Sequence, residues 1–204
     1  CGMITINGEK MSKSLGNFFT IREVLEKYHP EVVRYLLIAS HYRSPINYSE
    51  DNLRESKAAL ERFYNALKGL PEAEPAAADE FVARFSAAMD DDFNTASACS
   101  VLFELAREVN RLRDSDIQAA AALAARLKSL AALLGVLQLE PEAFLQADAA
   151  GRVDAAAVEA LIEARLAARA AKDWAASDQI RDQLSAMGVL LEDAKGVTTW
   201  RLAD

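Results

Sequence analysis

This 204-residue sequence has only two cysteines, Cys1 and Cys99, and two histidines, His29 and His41. That scarcity excludes a disulfide framework, and the Cys/His spacing of a metal site is absent. The expectation is a reducing, cytoplasmic setting, with no metal held by these residues. Cys99 falls in a helical pattern and reads as a buried small hydrophobe. Long apolar runs are missing too. No stretch reaches the ~18 apolar residues of a membrane helix, so no span is expected. No leader of charged, then apolar, then small residues points to secretion. Nor is positive charge in excess. The chain holds 23 Lys/Arg against 31 Asp/Glu, a net charge of −8. This argues against indiscriminate nucleic-acid binding. The acidity is uneven, however. Residues 1–70 hold ten Lys/Arg against eight Asp/Glu, residues 71–150 six against fourteen, and residues 151–204 seven against nine. Both ends are near neutral and can face a polyanion locally.

What is present is alanine, leucine and helical spacing. The chain is 51% hydrophobic and long enough to bury a real core. Asn7-Gly8 is a hairpin signal. Thr20 with Glu23 forms a capping box, starting a helix with Val24, Leu25 and Tyr28 on one face. Pro30 suits a first helical position, so "PEVVRYLLIAS" reads as a largely buried helix. "HYRSPINYS" reads as a loop. Ser49 caps a third helix with Leu53, Leu60, Phe63, Tyr64 and Leu67 inward. Residues 71–79, "PEAEPAAAD", are the best linker candidate.

Residues 80–135 read as three helices. Phe81, Val82, Phe85 and Met89 line the first. "DDDFNTA" then interrupts, and Asn94 or Thr95 caps the next. Val101, Leu102, Leu105, Val109 and Leu112 form its stripe. Leu123, Leu127, Leu130 and Leu134 line the third, with Gly135 at its C-terminal cap. The three aspartates read as a helix boundary, since a metal site needs more ligands than the local sequence offers. Residues 140–153 look like a second loose connection. Val158, Leu161, Ile162 and Leu166 mark one further helix, and Trp174, Ile180, Leu184 and Met187 another. "VLLED" and "VTTWRL" read as strands around a turn at Lys195-Gly196. The expected fold is mainly α, closed by a small α+β helix-helix-hairpin unit.

Two stretches carry chemistry. In "GEKMSKSLGN", residues 8–17, Lys10 and Lys13 stand three apart among small polar residues. Mobile lysines suit a polyphosphate on which negative charge develops. Ser12, Ser14 and backbone amides add donors, and Gly8 and Gly16 permit movement. The spacing is not that of a Walker loop. A solvated basic turn is the plain alternative. In the tail, Trp174, Asp178 and Arg181 lie at i, i+4 and i+7 on one helix face. Arg169 precedes them and Asp193 follows in the hairpin. An aromatic plane stacks an unpaired base, carboxylates accept from exocyclic amines, and arginine donates in a fork. Single-stranded RNA loops are read in this way. The alternative is a core tryptophan beside a surface ion pair.

"KMSKS" resembles the signature loop of class I aminoacyl-tRNA synthetases. "KMSKSLGNFFTIREVLEKY", "EVVRYLLIASHYRSPINYSEDNL", "DDDFNTA", "ARAAKDWAASDQIRDQLSAMGVLLED" and "GVTTWR" together are similar to the cysteinyl-tRNA synthetase family, in the right order over essentially the whole chain. The resemblance implies the end of a catalytic domain and stem-contact helices at 1–70, a DALR-type helical bundle at 79–139, and a small anticodon-binding unit at 151–204. It implies that Lys13 stabilises the adenylation transition state on ATP, with Lys10 supporting and Met11, Ser12 and Ser14 in the same loop. It implies that Arg169, Trp174, Asp178, Arg181 and Asp193 approach the GCA anticodon of tRNA(Cys). Trp200 and the threonines before it are expected to hold the hairpin to the helices. Val197 stands where the family usually has glycine. Arg43 either contacts the inner side of the tRNA or caps its own loop.

The family's HIGH motif and zinc ligands are expected upstream of KMSKS, and neither is in this sequence. The chain therefore reads as a C-terminal fragment, inactive alone. Cysteine and ATP are substrates of the intact enzyme, zinc belongs to its N-terminal part, and a monomer is expected. Two alternatives stand beside this reading. One is the related cysteine ligase of mycothiol synthesis, which has no need of an anticodon reader. The other is a stand-alone helical tRNA-binding module.

Overall fold

The computed structural model describes residues 2–12, 17, 20–77, 80–146, 155–194 and 197–202, with the backbone alone at 155–156, 192–194, 197 and 201–202. Among these residues lie nine helices and five short strands, in two compact units, Cys1–Pro141 and Glu142–Asp204.

The first unit opens with the hairpin that Asn7-Gly8 dictates. β1 (Ile4–Ile6) pairs antiparallel with β2 (Glu9–Lys10), joining Ile6 to Glu9 across a two-residue loop. Asn7 and Gly8 have φ of 48° and 82°. This is the left-handed pair that such a turn demands, and Asn-Gly meets it at low steric cost. Residues 41–49, expected as a loop, contain a strand instead. β3 (Ile46–Tyr48) runs parallel to β1 from Ile4↔Ile46 to Ile6↔Tyr48. The partner lies some forty residues away, so no local pattern announces a three-residue strand after Pro45. Asn47 locks the join, its side-chain oxygen accepting from Gly8 N–H at 2.8 Å and Thr5 Oγ1 at 3.2 Å.

α1 (Ile21–Leu25) starts at Thr20 through a reciprocal capping box with Glu23. Only Val24 of its apolar residues is buried, and Leu25, expected beside it, is exposed. His29 caps α2 (Pro30–Ile38), and Ser49 Oγ accepts from Asn52 N–H to start α3 (Glu50–Leu67). Leu53, Leu60, Phe63 and Tyr64 of α3 are fully buried. α5 (Thr95–Leu112) packs against α3, against α4 (Glu80–Asp90) and against α6 (Ile117–Leu133). Asn94 is its cap, accepting from Ser97 N–H at 3.1 Å, while Thr95 Oγ1 donates to Ser40 O. Cys99 is buried in this helix, and burial pushes its thiol pKa up to about 11.

Residues 71–77 form neither helix nor strand, yet they are pinned along α6. Ala76 N–H donates to Ala122 O at 3.0 Å, and Arg126 Nη2 donates to Ala76 O. A second tie is a buried carboxylate. Glu31, in the first turn of α2, accepts from Tyr64 Oη at 2.7 Å, Leu137 N–H at 3.2 Å and Gln138 N–H at 2.8 Å. Burial and this carboxylate raise the Tyr64 hydroxyl well above the usual tyrosine range. The segment after α6 is thereby fastened to α2 and α3.

The expected loose connection at 140–153 begins with a helix, α7 (Pro141–Gln146), whose Phe144 is buried. Proline at the first helical position nucleates it. In the second unit, α8 (Ala155–Ala170) and α9 (Trp174–Ala186) pack on a hairpin of β4 (Val189–Ala194) and β5 (Val197–Leu202). Val158, Ile162, Leu184, Val189 and Trp200 form its core, flanked by Leu161, Ile180, Met187 and Leu191. Trp200 is 3% exposed, and its Nε1 donates to Glu159 Oε1 at 2.8 Å. It ties hairpin to helix as expected. Leu166, assigned to the inward stripe, is instead 41% exposed, and the neighbouring Arg165 is the buried residue of that turn.

Candidate nucleic-acid interface

The basic loop leaves the first hairpin directly. Lys10 is the last residue of β2 and is exposed; Met11 and Ser12 follow it, partly buried. Lys13 and Ser14 lie outside the described residues. Asn17, which sequence reasoning passed over, bridges the start of the loop. Its Oδ1 accepts from Ser12 N–H at 2.8 Å, and its Nδ2 donates to Lys10 O at 3.2 Å. An amide that both donates and accepts can clamp two backbone points at once. The neighbouring "LGN" was the available signal.

Arg43 does not act alone. Its Nε lies 2.8 Å from Asp92 Oδ2 and 2.9 Å from Tyr42 Oη, and its Nη2 donates to Asp92 Oδ1 at 3.2 Å. Tyr42 Oη donates to Asp92 Oδ1 at 2.8 Å, and His41 stacks on the Tyr42 ring at 4.9 Å. The Tyr42 hydroxyl, then the Arg43 guanidinium, hold the Asp92 carboxyl below the usual aspartate range. So "HYR" and "DDDF", read separately in the sequence, make one cluster. Asp92 is both helix boundary and anchor. Asp92 and Phe93 have φ of 54° and 52°, and Phe93 projects 65% exposed beside the cluster. Among the described residues, no group of His, Cys, Asp and Glu is arranged to hold a metal ion.

In the second unit Arg169 and Trp174 flank the α8–α9 elbow. Arg169 is in the last turn of α8 and is exposed. Asp173 caps α9, accepting from Ala176 N–H at 3.0 Å. Trp174, the first residue of α9, is 60% exposed. The helical pattern had grouped it with Ile180, Leu184 and Met187, but its ring stays outside the core. At a helix's first position a side chain lies beyond the stripe that later turns bury. Asp178 and Arg181 follow on the same face, 3.4 Å apart, and Arg181 also lies 3.8 Å from Asp182. Exposed pairs of this kind contribute about 0–1 kcal/mol, so a ligand can redirect them at small cost. Asp193 sits in β4 opposite Thr198. Its side chain is outside the description.

Three family models match the chain in order. The class I (C) tRNA synthetase catalytic domain covers residues 1–58, the DALR domain 84–138, and the cysteinyl-tRNA ligase anticodon-binding domain 155–201. Together they describe a class I aminoacyl-tRNA synthetase. The cysteine–tRNA ligase of Pseudomonas aeruginosa strain LESB58 is 86% identical over 204 residues, and that of Azotobacter vinelandii is 80% identical over 203. Each match takes in 100% of this chain. The chain belongs to the cysteine–tRNA ligase family and matches the C-terminal part of its members, spanning 44% of their length. Among solved structures, the agnB2 LeuRS of Agrobacterium radiobacter K84, in a ternary complex with tRNA and LeuAMS, shares the fold. The TM-score is 0.50 at 22% identity, over 72% of this chain and 22% of that one.

Proposed function

We propose that this chain supplies the adenylation loop and the tRNA-reading domains of an enzyme that joins cysteine to tRNA(Cys). ATP and cysteine react to cysteinyl-adenylate with release of pyrophosphate, and the cysteinyl group then passes to the tRNA with release of AMP. Lys13 offers its ammonium to the phosphates as charge shifts onto the leaving pyrophosphate, where fixed positive charge lowers the barrier most. Lys10 supports it. Met11, Ser12 and Ser14 complete the loop, and the Asn17 clamp between Lys10 and Ser12 orients its start. In the second unit Trp174 stacks an anticodon base, while Arg169, Asp178, Arg181 and Asp193 meet base edges and backbone. Arg43, braced by Asp92, approaches the inner side of the tRNA. The three domains proposed are 1–70, 79–139 and 151–204, in a monomeric, cytoplasmic protein.

The observation that carries this reading is Trp174. A tryptophan 60% exposed beside exposed Asp178 and Arg181 contributes little to the core, and it stands within the stretch that matches an anticodon-binding domain. The test is binding of tRNA to the purified chain at two salt concentrations. A tRNA with a GCA anticodon is compared with one carrying a single changed anticodon base. The expected discrimination is about 1–3 kcal/mol. Binding blind to the anticodon and steeply dependent on salt would count against the reader.

A further inference from the structure

Five described helices end on a residue with left-handed backbone. Behind α3, α6 and α9 that residue is glycine, namely Gly69, Gly135 and Gly188, with φ of 71°, 70° and 76°. Glycine fits there because a Cβ crowds the following carbonyl in this conformation. The other two are Asp92 behind α4, with φ 54°, and Lys172 behind α8, with φ 60°. Asp92 has an evident task, since its carboxylate anchors Tyr42 and Arg43. For Lys172 none is found among the described residues. Its N–H donates to Arg169 O at 3.0 Å, as any residue's would. Its side chain is exposed, and its ammonium makes no hydrogen bond or ion pair with a described residue. The chain thus keeps a strained lysine where glycine serves three other helices.

Its position is informative. Lys172 lies on the elbow between α8 and α9, two residues before the exposed Trp174 and three after Arg169. The carboxylates nearby are engaged: Asp173 accepts from Ala176 N–H, and Asp178 pairs with Arg181. We propose that Lys172 is a phosphate contact of the RNA-reading surface, gripping the backbone of the nucleotide whose base stacks on Trp174. A nucleotide brings its phosphates with it, and a compact charge on a flexible stem can follow them without demanding one geometry. Such a contact fixes the position of the strand and carries no sequence information. Trp174 and the carboxylates then discriminate among bases that Lys172 holds in place. The inference rests on the reading of the second unit as RNA-binding.

The experiment uses the full chain with Lys172→Gly, Lys172→Ala and Lys172→Arg. Binding is measured over a salt series, with a GCA-anticodon tRNA and a tRNA altered at one anticodon base. Lys172→Gly is expected to weaken both tRNAs by the same factor, roughly three- to tenfold near physiological salt. It should flatten the slope of log affinity against log salt by about 0.7. Lys172→Ala should do the same, and Lys172→Arg should restore most of the loss. The melting temperature of Lys172→Gly should equal or exceed that of the unaltered chain, because glycine relieves the backbone. Unchanged affinity and slope in Lys172→Gly would overturn the proposal. So would a loss confined to one tRNA, or a lowered melting temperature accounting for the loss. If the unaltered chain binds neither tRNA, the RNA-binding reading itself falls, and the role of Lys172 falls with it.

Discussion

The two tryptophans of the second unit separate stability from recognition. Trp200 is buried against both helices and donates to Glu159, whereas Trp174 is 60% exposed at the head of α9. Trp200→Ala removes a large core ring and leaves Glu159 without that donor. It is expected to destabilise the unit by about 3–5 kcal/mol, read as a fall in its denaturation midpoint. Trp174→Ala should leave that midpoint nearly unchanged and weaken tRNA binding by roughly 1–3 kcal/mol. Comparable destabilisation by both would make Trp174 a packing residue. The same pair shows what the sequence withholds. Spacing alone suits a core role for either ring, and burial gives that role to Trp200 and not to Trp174.

At the scale of elements, two of the joints in the first unit carry predictions, and neither is a local feature. The Asp92 cluster links the α4–α5 corner to residues 41–43, and its carboxyl pKa is depressed in the folded chain. A depressed native pKa means that the unfolded chain binds the proton more tightly. The contribution is therefore present above the ordinary aspartate pKa of about 3.9, and it is lost as pH falls through the lower native value. Asp92→Asn should remove this pH dependence, so its melting temperature should decline less steeply below about pH 4 than that of the unaltered chain. Parallel profiles would show that the cluster adds nothing. The second joint is Glu31. Glu31→Ala strands the buried donors of Tyr64 and Leu137, at about 1–3 kcal/mol for each one left unsatisfied, and frees the part-buried N–H of Gln138. Loss of several kcal/mol in chemical denaturation is expected. A loss below about 1 kcal/mol would mean that water replaces the carboxylate.

Why these joints escaped the sequence is physical. The caps at Thr20 and Ser49 and the Asn7-Gly8 turn were legible because donor and acceptor stand within a few residues. Helix spacing likewise announced the α5 stripe and the fully buried Leu53, Leu60 and Phe63 of α3. β3, the Arg43–Asp92 pair and the Glu31 knot each join residues more than thirty positions apart. A glutamate in a first turn looks like an ordinary dipole partner, and nothing nearby reveals that it will be buried. Of the candidate site, the strings around Lys10 and Trp174 were visible. The Asn17 clamp and the left-handed Lys172 required the fold.

For the whole molecule, the two compact units suggest a division of labour in the proposed enzyme. In a full-length relative carrying this segment, Lys13→Ala should lower the rate of adenylate formation by about a hundredfold or more with tRNA affinity retained. Trp174→Ala should do the reverse, weakening tRNA binding while cysteine-dependent ATP–pyrophosphate exchange persists. Loss of exchange in the Trp174 variant would tie the two functions together. No described helix is long and apolar enough to cross a membrane.

One thiol offers a clock for the first unit. Cys99 is buried between α5 and Tyr35 of α2, and with its pKa near 11 only about one thiol in ten thousand is ionised at pH 7. A thiol-directed reagent therefore meets it when α5 and α2 part, and hardly before. With Cys1 replaced by serine, the labelling half-time reports how often this unit opens under native conditions. Releasing the Glu31 knot should shorten that half-time, whereas trimming Trp200 in the other unit should leave it alone.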